Sequence, residues 1–476
     1  MGRTHQVVIC GAGITGVSAA YFLAKAGVRD ILLVDERPPL TLTSDRSTEC
    51  YRNWWPDAEM LALMNRSIDL MEGLADESGN IFHMNRRGYL YVTGDKNKIP
   101  DLIKRSNRTL RLAQGGVSNL GAGQLRIHSS DASTHSTSSP VPAALAQAGQ
   151  AYQPSAPEGF HNQNSGADIL LGSDLIRKHF PYLTEDAVAA LHVRRAGWLS
   201  AQQLGMYLLK TARRLGVGFE SARVEAVDAA NGRVNGVRLG NGKRINCPIF
   251  VNATGPYLKQ VGKMLGLEIP VHTELHLKVA FKDQLGIVGR DAPLLIWDDA
   301  QSLPWTDDER EALTEDADTK WLTEPFPAGA HTRPEGAGES QTILMLWEYK
   351  TRMLDPIFPP PLDEQYPELA MRGMSAMLPG LKQYFNKMPK PQLDGGYYTR
   401  TRENRLLAGP LNVEGAYVIG AVSGYGIMSA CAAGELLAAH IAKMSLPSYA
   451  SAFSPARYDD PEYQKKLENW GESGQL

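Results

Sequence analysis

The stretch from Gln6 to Glu36 restricts the fold more than any other part of the chain. Gln6-Val7-Val8-Ile9-Cys10 is a short apolar run of the kind found in buried parallel strands, and it stops at Gly11-Ala12-Gly13-Ile14-Thr15-Gly16. Val17 to Ala26 then carries good helix formers with apolar residues at helical spacing, closed by Gly27. A second strand, Ile31-Leu32-Leu33-Val34, ends at Asp35-Glu36. The result is a βαβ unit with its glycines in the first turn, which predicts an α/β fold built on a parallel sheet. Glycines at that turn let backbone approach a diphosphate that side chains would block, and the following helix adds N–H groups and a positive dipole end. Gly11, Gly13 and Gly16 supply that approach, and Asp35 lies about 20 residues on, where a carboxylate takes hydrogen bonds from a ribose. Glu36 either shares the ribose or is a solvated loop end.

The chain has 476 residues, which at roughly 150 per domain points to about three units. Lys+Arg 49 against Asp+Glu 52 gives a net charge of -3, with no electrostatic footprint for nucleic acid. Cys10, Cys50, Cys247 and Cys431 lie far apart, with no CxxC pair and no histidines at ligand spacing, which argues against a disulfide framework and against structural zinc. The first residues lack the charged-then-apolar organisation of a signal peptide, and no run approaches the roughly 20 apolar residues of a membrane span. The expectation is a soluble, cytoplasmic protein without a metal.

Along the chain, Asp57 to about Gly79 predicts a helix with Leu61, Met64, Ile68, Met71 and Leu74 on one face, and Arg87 to Thr93 a strand. From about Ser129 to Gly166, Ser, Ala, Pro, Gln, Asn and Gly dominate, a composition with too little apolar surface to offset ordering, so a mobile insertion is expected. Ala201 to Gly216 is an amphipathic helix. Val217 to Leu239 is expected as a β-meander broken at Asn231-Gly232 and continued past Asn241-Gly242. Cys247 to Asn252 is a buried strand ending in Ala253-Thr254-Gly255-Pro256, and about Val271 to Tyr349 alternates like an antiparallel sheet. Ala416 to Gly420 is a further buried strand, meeting Gly424-Tyr425-Gly426 and a helix from Ser429 to Lys443.

Three further patches, Arg46-Ser47-Thr48, Ala253-Thr254-Gly255 and Gly420 to Met428, put small or hydroxyl residues at turns where a long ligand touches backbone. A cofactor reached by both the first and the last segments lies extended through the protein, which favours FAD over NAD. On these motifs the sequence resembles the D-amino-acid oxidase-like flavoproteins, within them the branch of sarcosine oxidase, glycine oxidase and dimethylglycine dehydrogenase. The resemblance also rests on Ser44-Asp45 with Arg52, Val251-Asn252, the block Gly396-Tyr397-Tyr398-Thr399-Arg400-Thr401, and Ser423-Gly424-Tyr425-Gly426-Ile427-Met428.

The resemblance implies a discontinuous Rossmann-like FAD domain interleaved with an antiparallel-sheet substrate domain. The expected parts are 1–85, 191–265 and 393–476 for FAD, and 86–190 and 266–392 for substrate. It implies diphosphate contacts at the first glycines, ribose at Asp35, flavin contacts at Arg46, Ser47 and Thr48, and an adenine contact by the Val224 backbone. The N-terminus of the last helix, at Gly424 to Met428, is implied to point at the flavin pyrimidine edge. The activity it implies is oxidation of an amine or amino-acid-like substrate by hydride transfer to flavin, giving an imine that water hydrolyses. Oxygen or an acceptor protein then takes the electrons.

Departures from that pattern matter. Sarcosine oxidase clamps a carboxylate with two basic residues, at the positions of Arg52, basic here, and Met428, which is not; one charge-assisted hydrogen bond of about 1.5–3 kcal/mol is lost. Arg52 is thus an anion ligand or a structural arginine. Tyr425 replaces a common His, and a phenol still donates to substrate or flavin without titrating near neutrality. Gly396 stands where sarcosine oxidase tethers its flavin through a cysteine, so the flavin is expected to be non-covalent, with Cys50 the alternative tether. His276 and Lys278, two apart on a strand, face one side, either the flavin or the outside, and a lysine there could help activate oxygen. Trp347 and Tyr349 are expected as core. The competing functions are a flavin-binding assembly or scaffold protein with little turnover, and an NAD-dependent dehydrogenase, which the terminal glycine motif disfavours.

Overall fold

The computed structural model describes residues 3–114, 123–129, 151–336 and 338–470. A six-stranded sheet runs Gly218–Ser221, Ile31–Asp35, Val7–Cys10, Ile249–Asn252, Ala416–Gly420, Leu407–Pro410. All neighbours are parallel except the last pair. The strand order reverses between Val7–Cys10 and Ile249–Asn252, and in such sheets ligands bind outside the carboxyl ends at that point. One face is covered by the helices Ile14–Lys25, Ala58–Ser78, Ala201–Arg214 and Gly426–Ile441, whose buried stripes share one core. The other face packs against the small sheet of Val224–Ala230, Arg233–Leu239 and Arg244–Asn246, which places Val8, Cys10, Leu32 and Val34 against Val227 and Val237.

Helix Ala58–Ser78 starts at an Asp57 cap bonded to the Met60 amide and stops at Gly79 in the left-handed region, as the sequence predicts. The last helix begins earlier than predicted, at Gly426. One element differs in kind. Gly218–Ser221 is not the first strand of a meander but a parallel edge strand on Ile31–Asp35. It directly follows helix Ala201–Arg214, and a strand entered from a crossover helix joins a parallel sheet. The Ala222 amide then bonds the Asp35 carbonyl and the chain leaves for the small sheet.

A ten-stranded sheet spans the rest of the chain. Its alternating strands carry two faces. Val279, Phe281, Ile343, Met345 and Trp347 pack against helix Tyr366–Met377, so Trp347 is core, as expected. The opposite face is fixed by register: His276 pairs with Gly396, Lys278 with Leu346, Leu346 with His331, His331 with Ile296, and Ile296 with Tyr91. Residues paired across a sheet share a face, and of these His276, Lys278, Leu346 and Gly396 form the roof over the cleft described below.

Of the expected mobile insertion, residues 130–150 lie outside the described residues. Residues 151–166 contradict the expectation of too little apolar surface, because Tyr152 and Phe160 are each 5% exposed and join the two main cores. Two aromatic anchors suffice where composition averages them away. The four cysteines are buried and unpaired. Among the described residues no helix is long and apolar enough to cross a membrane.

A Cβ on Gly16 would stand 1.9 Å from the Gly11 carbonyl oxygen, whereas one on Gly73, inside the long helix, meets nothing within 4 Å. Gly16→Ala is therefore expected to cost about 1–3 kcal/mol in urea denaturation through overpacking against backbone. Gly73→Ala should gain about 0.5–1 kcal/mol from helix propensity.

Candidate cofactor and substrate site

A cleft of about 400 Å³ opens at the strand-order reversal and runs under the roof sheet, lined by residues from Cys10 to Ile427. At one end lies the glycine turn. Gly11 has φ +106, and a Cβ there would stand 2.4 Å from the Ala253 carbonyl oxygen, so only glycine lets the two strand ends meet. Helix Ile14–Lys25 has no side-chain cap and no acid in its first turn. The Ile14 amide donates to Ser44 Oγ at 2.9 Å. Among the described residues the amides of Thr15 and Gly16 have no partner, which leaves donors and a positive dipole end for an anion. Asp35 accepts from the Ala12 amide at 2.8 Å and the Arg37 amide at 2.9 Å, which fixes its carboxylate at the cleft wall. Glu36 also lines the cleft, but pairs with Arg37 at 3.3 Å and is 41% open. Val224, Ala253, Thr254 and Gly255 line the same end, where buried Asn252 holds the turn by accepting from Thr254 Oγ1 at 2.7 Å and donating to the Leu258 carbonyl at 2.9 Å.

Arg46, Ser47 and Thr48 form a loop clamped from above. Lys278 Nζ donates to the Ser47 carbonyl at 3.0 Å. Arg333, 1% exposed, donates to the Thr48 carbonyl from Nη2 at 2.8 Å and pairs with Glu335 at 2.7 Å. Burial lowers the Lys278 pKa, an effect that Asp394 and Glu49 oppose. Arg333 escaped the sequence reading, although an arginine two places from His331 in an alternating strand shares that residue's face. Gly396 lines the cleft beside Arg46, and a Cβ there would stand 3.0 Å from Arg46 Cβ. At the far end, Gly420, Gly424, Gly426 and Ile427 line the cleft. Ala421 and Ser423 precede the last helix at φ 54 and 44, a strained loop of the kind that clusters at functional sites.

Other expected contacts are not cleft-lining side chains. Ala12 and Gly16 do not line the cleft, and the Ala12 amide is taken up by Asp35. Tyr425 corrects an expectation: it is fully buried, donates to the Asn404 carbonyl at 2.9 Å and packs edge-on against Trp55. Burial raises its pKa. Its phenol therefore serves the core rather than substrate or flavin. Met428 is likewise in the core, one residue past the helical turn that faces the cleft.

The substrate side of the roof carries the charge. His276, 7% exposed, lies with Nε2 3.2 Å from Glu274 and Nδ1 3.0 Å from Glu348, and stacks on Tyr398 at 3.8 Å. Burial opposes charge on this ring, but Glu348 and Glu274 outweigh it and raise the pKa. Glu274 also holds His272 at 3.2 Å and Arg400 at 2.8 Å, and these donors with His276 keep its carboxyl well below the usual range. His276 is thus held between two carboxylates that favour its charged form. Arg52 is 5% exposed, outside the lining of the main cleft, with its guanidinium 4.9 Å from the Trp55 ring and 5.7 Å from that of Tyr89. Its Nε donates to the Trp54 carbonyl at 3.2 Å, and among the described residues no carboxylate pairs with it.

Residues 6–440 match the family DAO, FAD dependent oxidoreductase, and the chain belongs to that family. It is accordingly an FAD-dependent enzyme, and the glycine cradle with its open amides fits the diphosphate of that cofactor. Among curated proteins it is similar to mitochondrial dimethylglycine dehydrogenase of Rattus norvegicus, 23% identical over 295 residues, 61% of this chain and 28% of that one. The chain thus spans little more than a quarter of that relative's length. Its fold is similar to L-proline dehydrogenase from P. horikoshii, with TM-score 0.69 and 18% identity over 96% of this chain and 99% of that one. Glycine oxidase from Geobacillus kaustophilus gives TM-score 0.68 and 14% identity over 95% and 98%.

Because the His276 pKa is raised in the folded state, its ion pairs stabilise fully below the ordinary value of 6.5 and lose that contribution as pH rises through the raised pKa. The stability gap between the wild type and His276→Gln should therefore be largest near about pH 6 and shrink toward about pH 9 in urea titrations. A gap independent of pH would show that the ring is neutral.

Proposed function

We propose that the chain oxidises a C–N bond of an amino-acid-like amine, with non-covalent FAD as the acceptor. When bound, FAD takes a hydride from the carbon beside an amine nitrogen, leaving an imine that water hydrolyses. The protein's share is placement. The glycine turn and helix Ile14–Lys25 hold the diphosphate, Asp35 the ribose, and the Val224 backbone the adenine. The clamped loop Arg46–Thr48 and the turn Gly424–Ile427 hold the flavin, whose developing charge the last helix's N-terminus favours.

The observation that carries the substrate class is Arg52. A buried guanidinium is ordinarily paired, and this one rests between aromatic rings on the strand leaving the flavin loop, with no counter-charge from the described residues. A substrate carboxylate would supply it. Without a second cation at Met428, one ion pair has to orient that carboxylate. His276, held between two carboxylates, and Lys278, tied to the Ser47 carbonyl, complete the roof. The Lys278 ammonium would stabilise the anions formed as oxygen is reduced, if oxygen rather than an acceptor protein takes the electrons. Non-covalent binding is supported by Gly396, which has no side chain to bond, and by Cys10, the cleft-lining thiol, which burial and then Asp35 keep protonated.

The test is anaerobic addition of amines to the purified yellow protein, with bleaching of the flavin as readout. Arg52→Met should raise KM for a carboxylated amine by about tenfold to a hundredfold, the worth of a charge-assisted hydrogen bond, and leave the decarboxylated analogue little changed. Peroxide release on readmitting air marks an oxidase, reduction of only an artificial dye a dehydrogenase, and colour released by acid precipitation a non-covalent flavin. An amine panel that never bleaches the flavin would refute the reading.

A further inference from the structure

One oxygen on the roof is not accounted for by the site so far. Glu348 lies two residues beyond Leu346, and continuing the antiparallel register from the Lys278–Leu346 pair sets it opposite His276, on the cleft side. Its Oε1 is 3.0 Å from His276 Nδ1. Its Oε2 has no partner among the described residues, in contrast to Glu274, which is filled by His272, His276 and Arg400. The side chain keeps 36% of its surface open. Tyr398, stacked on the same imidazole, is partly open too, and with His276 it lines the cofactor cleft. Burial by itself would favour the neutral acid, but His276 reverses this and Glu348 stays ionised. The roof therefore presents an anion as well as a cation.

We propose that Glu348 is a specificity-determining residue that binds a second, non-reacting cationic group of the substrate, so that the preferred substrate is an amino-acid-like amine with a distal ammonium or guanidinium. This rests on the amine-oxidation reading above. The cation Glu348 binds is not the reacting nitrogen. Hydride departure draws on that nitrogen's lone pair, which an ammonium lacks, and a carboxylate beside it would hold the proton on, with about tenfold less reactive amine for each pKa unit gained. A carboxylate at this place serves catalysis only if it pairs with a charge elsewhere on the substrate. Its ionised state also makes it selective, because a neutral chain offers its open oxygen no charged donor.

The experiment uses the flavin-loaded enzyme and pairs of ligands of equal length, in both enantiomers: diaminobutyrate against norvaline, and ornithine against norleucine. Binding is followed by the anaerobic perturbation of the flavin spectrum. The wild type should bind the best diamino acid about tenfold to a hundredfold more tightly than its neutral counterpart, a preference of the size of one charge-assisted hydrogen bond. Glu348→Gln should abolish that preference and leave the neutral ligands unchanged, while Glu348→Asp should keep part of it. Equal binding of charged and neutral tails by the wild type, binding of neither, or a preference that survives in Glu348→Gln would overturn the proposal. Should Glu348→Gln not fold, the wild-type comparison decides alone. Neutral and charged amines that bleach the flavin alike would sink this inference and leave amine oxidation standing. Preferential binding of diamino acids with no bleaching would do the reverse.

Discussion

The close approach of the Gly11 turn to the Ala253 backbone is the contact on which the architecture depends. The Gly11 amide bonds the Val34 carbonyl and the Ala253 amide bonds the Cys10 carbonyl, so three strand ends from distant parts of the chain are stitched at one point. A side chain on Gly11 or Gly16 would push them apart. That stitch sets the strand-order reversal, the reversal opens the crevice, and the first turn of the first helix lines it.

The second layer of organisation is electrostatic and comes from the roof. Lys278 and Arg333 reach down to the carbonyls of Ser47 and Thr48, so cations from the large sheet order a loop of the nucleotide-binding part. Around them the buried charges fall into two groups. Arg333 and Glu274 are saturated by partners within the protein, as fixed scaffolding has to be. Arg52 and one oxygen of Glu348 are not. Unequal satisfaction of like groups separates charge fixed by the fold from charge left open.

Much of the cofactor half was legible in the sequence because local chemistry dictates it. A glycine turn between a strand and a helix, an acid at a strand tip, and Asp57 and Gly79 as helix ends are short-range signals. What escaped depends on long-range packing. Gly218–Ser221 has the pattern of a hairpin strand, and only the helix before it and the free edge of Ile31–Asp35 make it parallel. Tyr425 sits between two cleft-facing glycines, yet the helical turn rotates its ring inward to Asn404. Arg333 and Glu348 act through strand register with His331 and His276, which no single segment specifies. Tyr152 and Phe160 show how composition over a window hides the few residues that anchor it.

Ser18, on the first helix, donates to the carbonyl of Ala430 on the last, 412 residues away at 2.7 Å. This bond has a consequence for biosynthesis. At about 5–20 residues per second, a ribosome needs roughly 20–80 s to make the chain between the two. For that interval the first helix exists without the neighbour that covers it, and the apolar surface of Val17, Ala20 and Leu23 depends on transient shelter. The two helices that meet at the cleft are thus made far apart in time, and the site waits on the later one long after the glycine motif has left the ribosome.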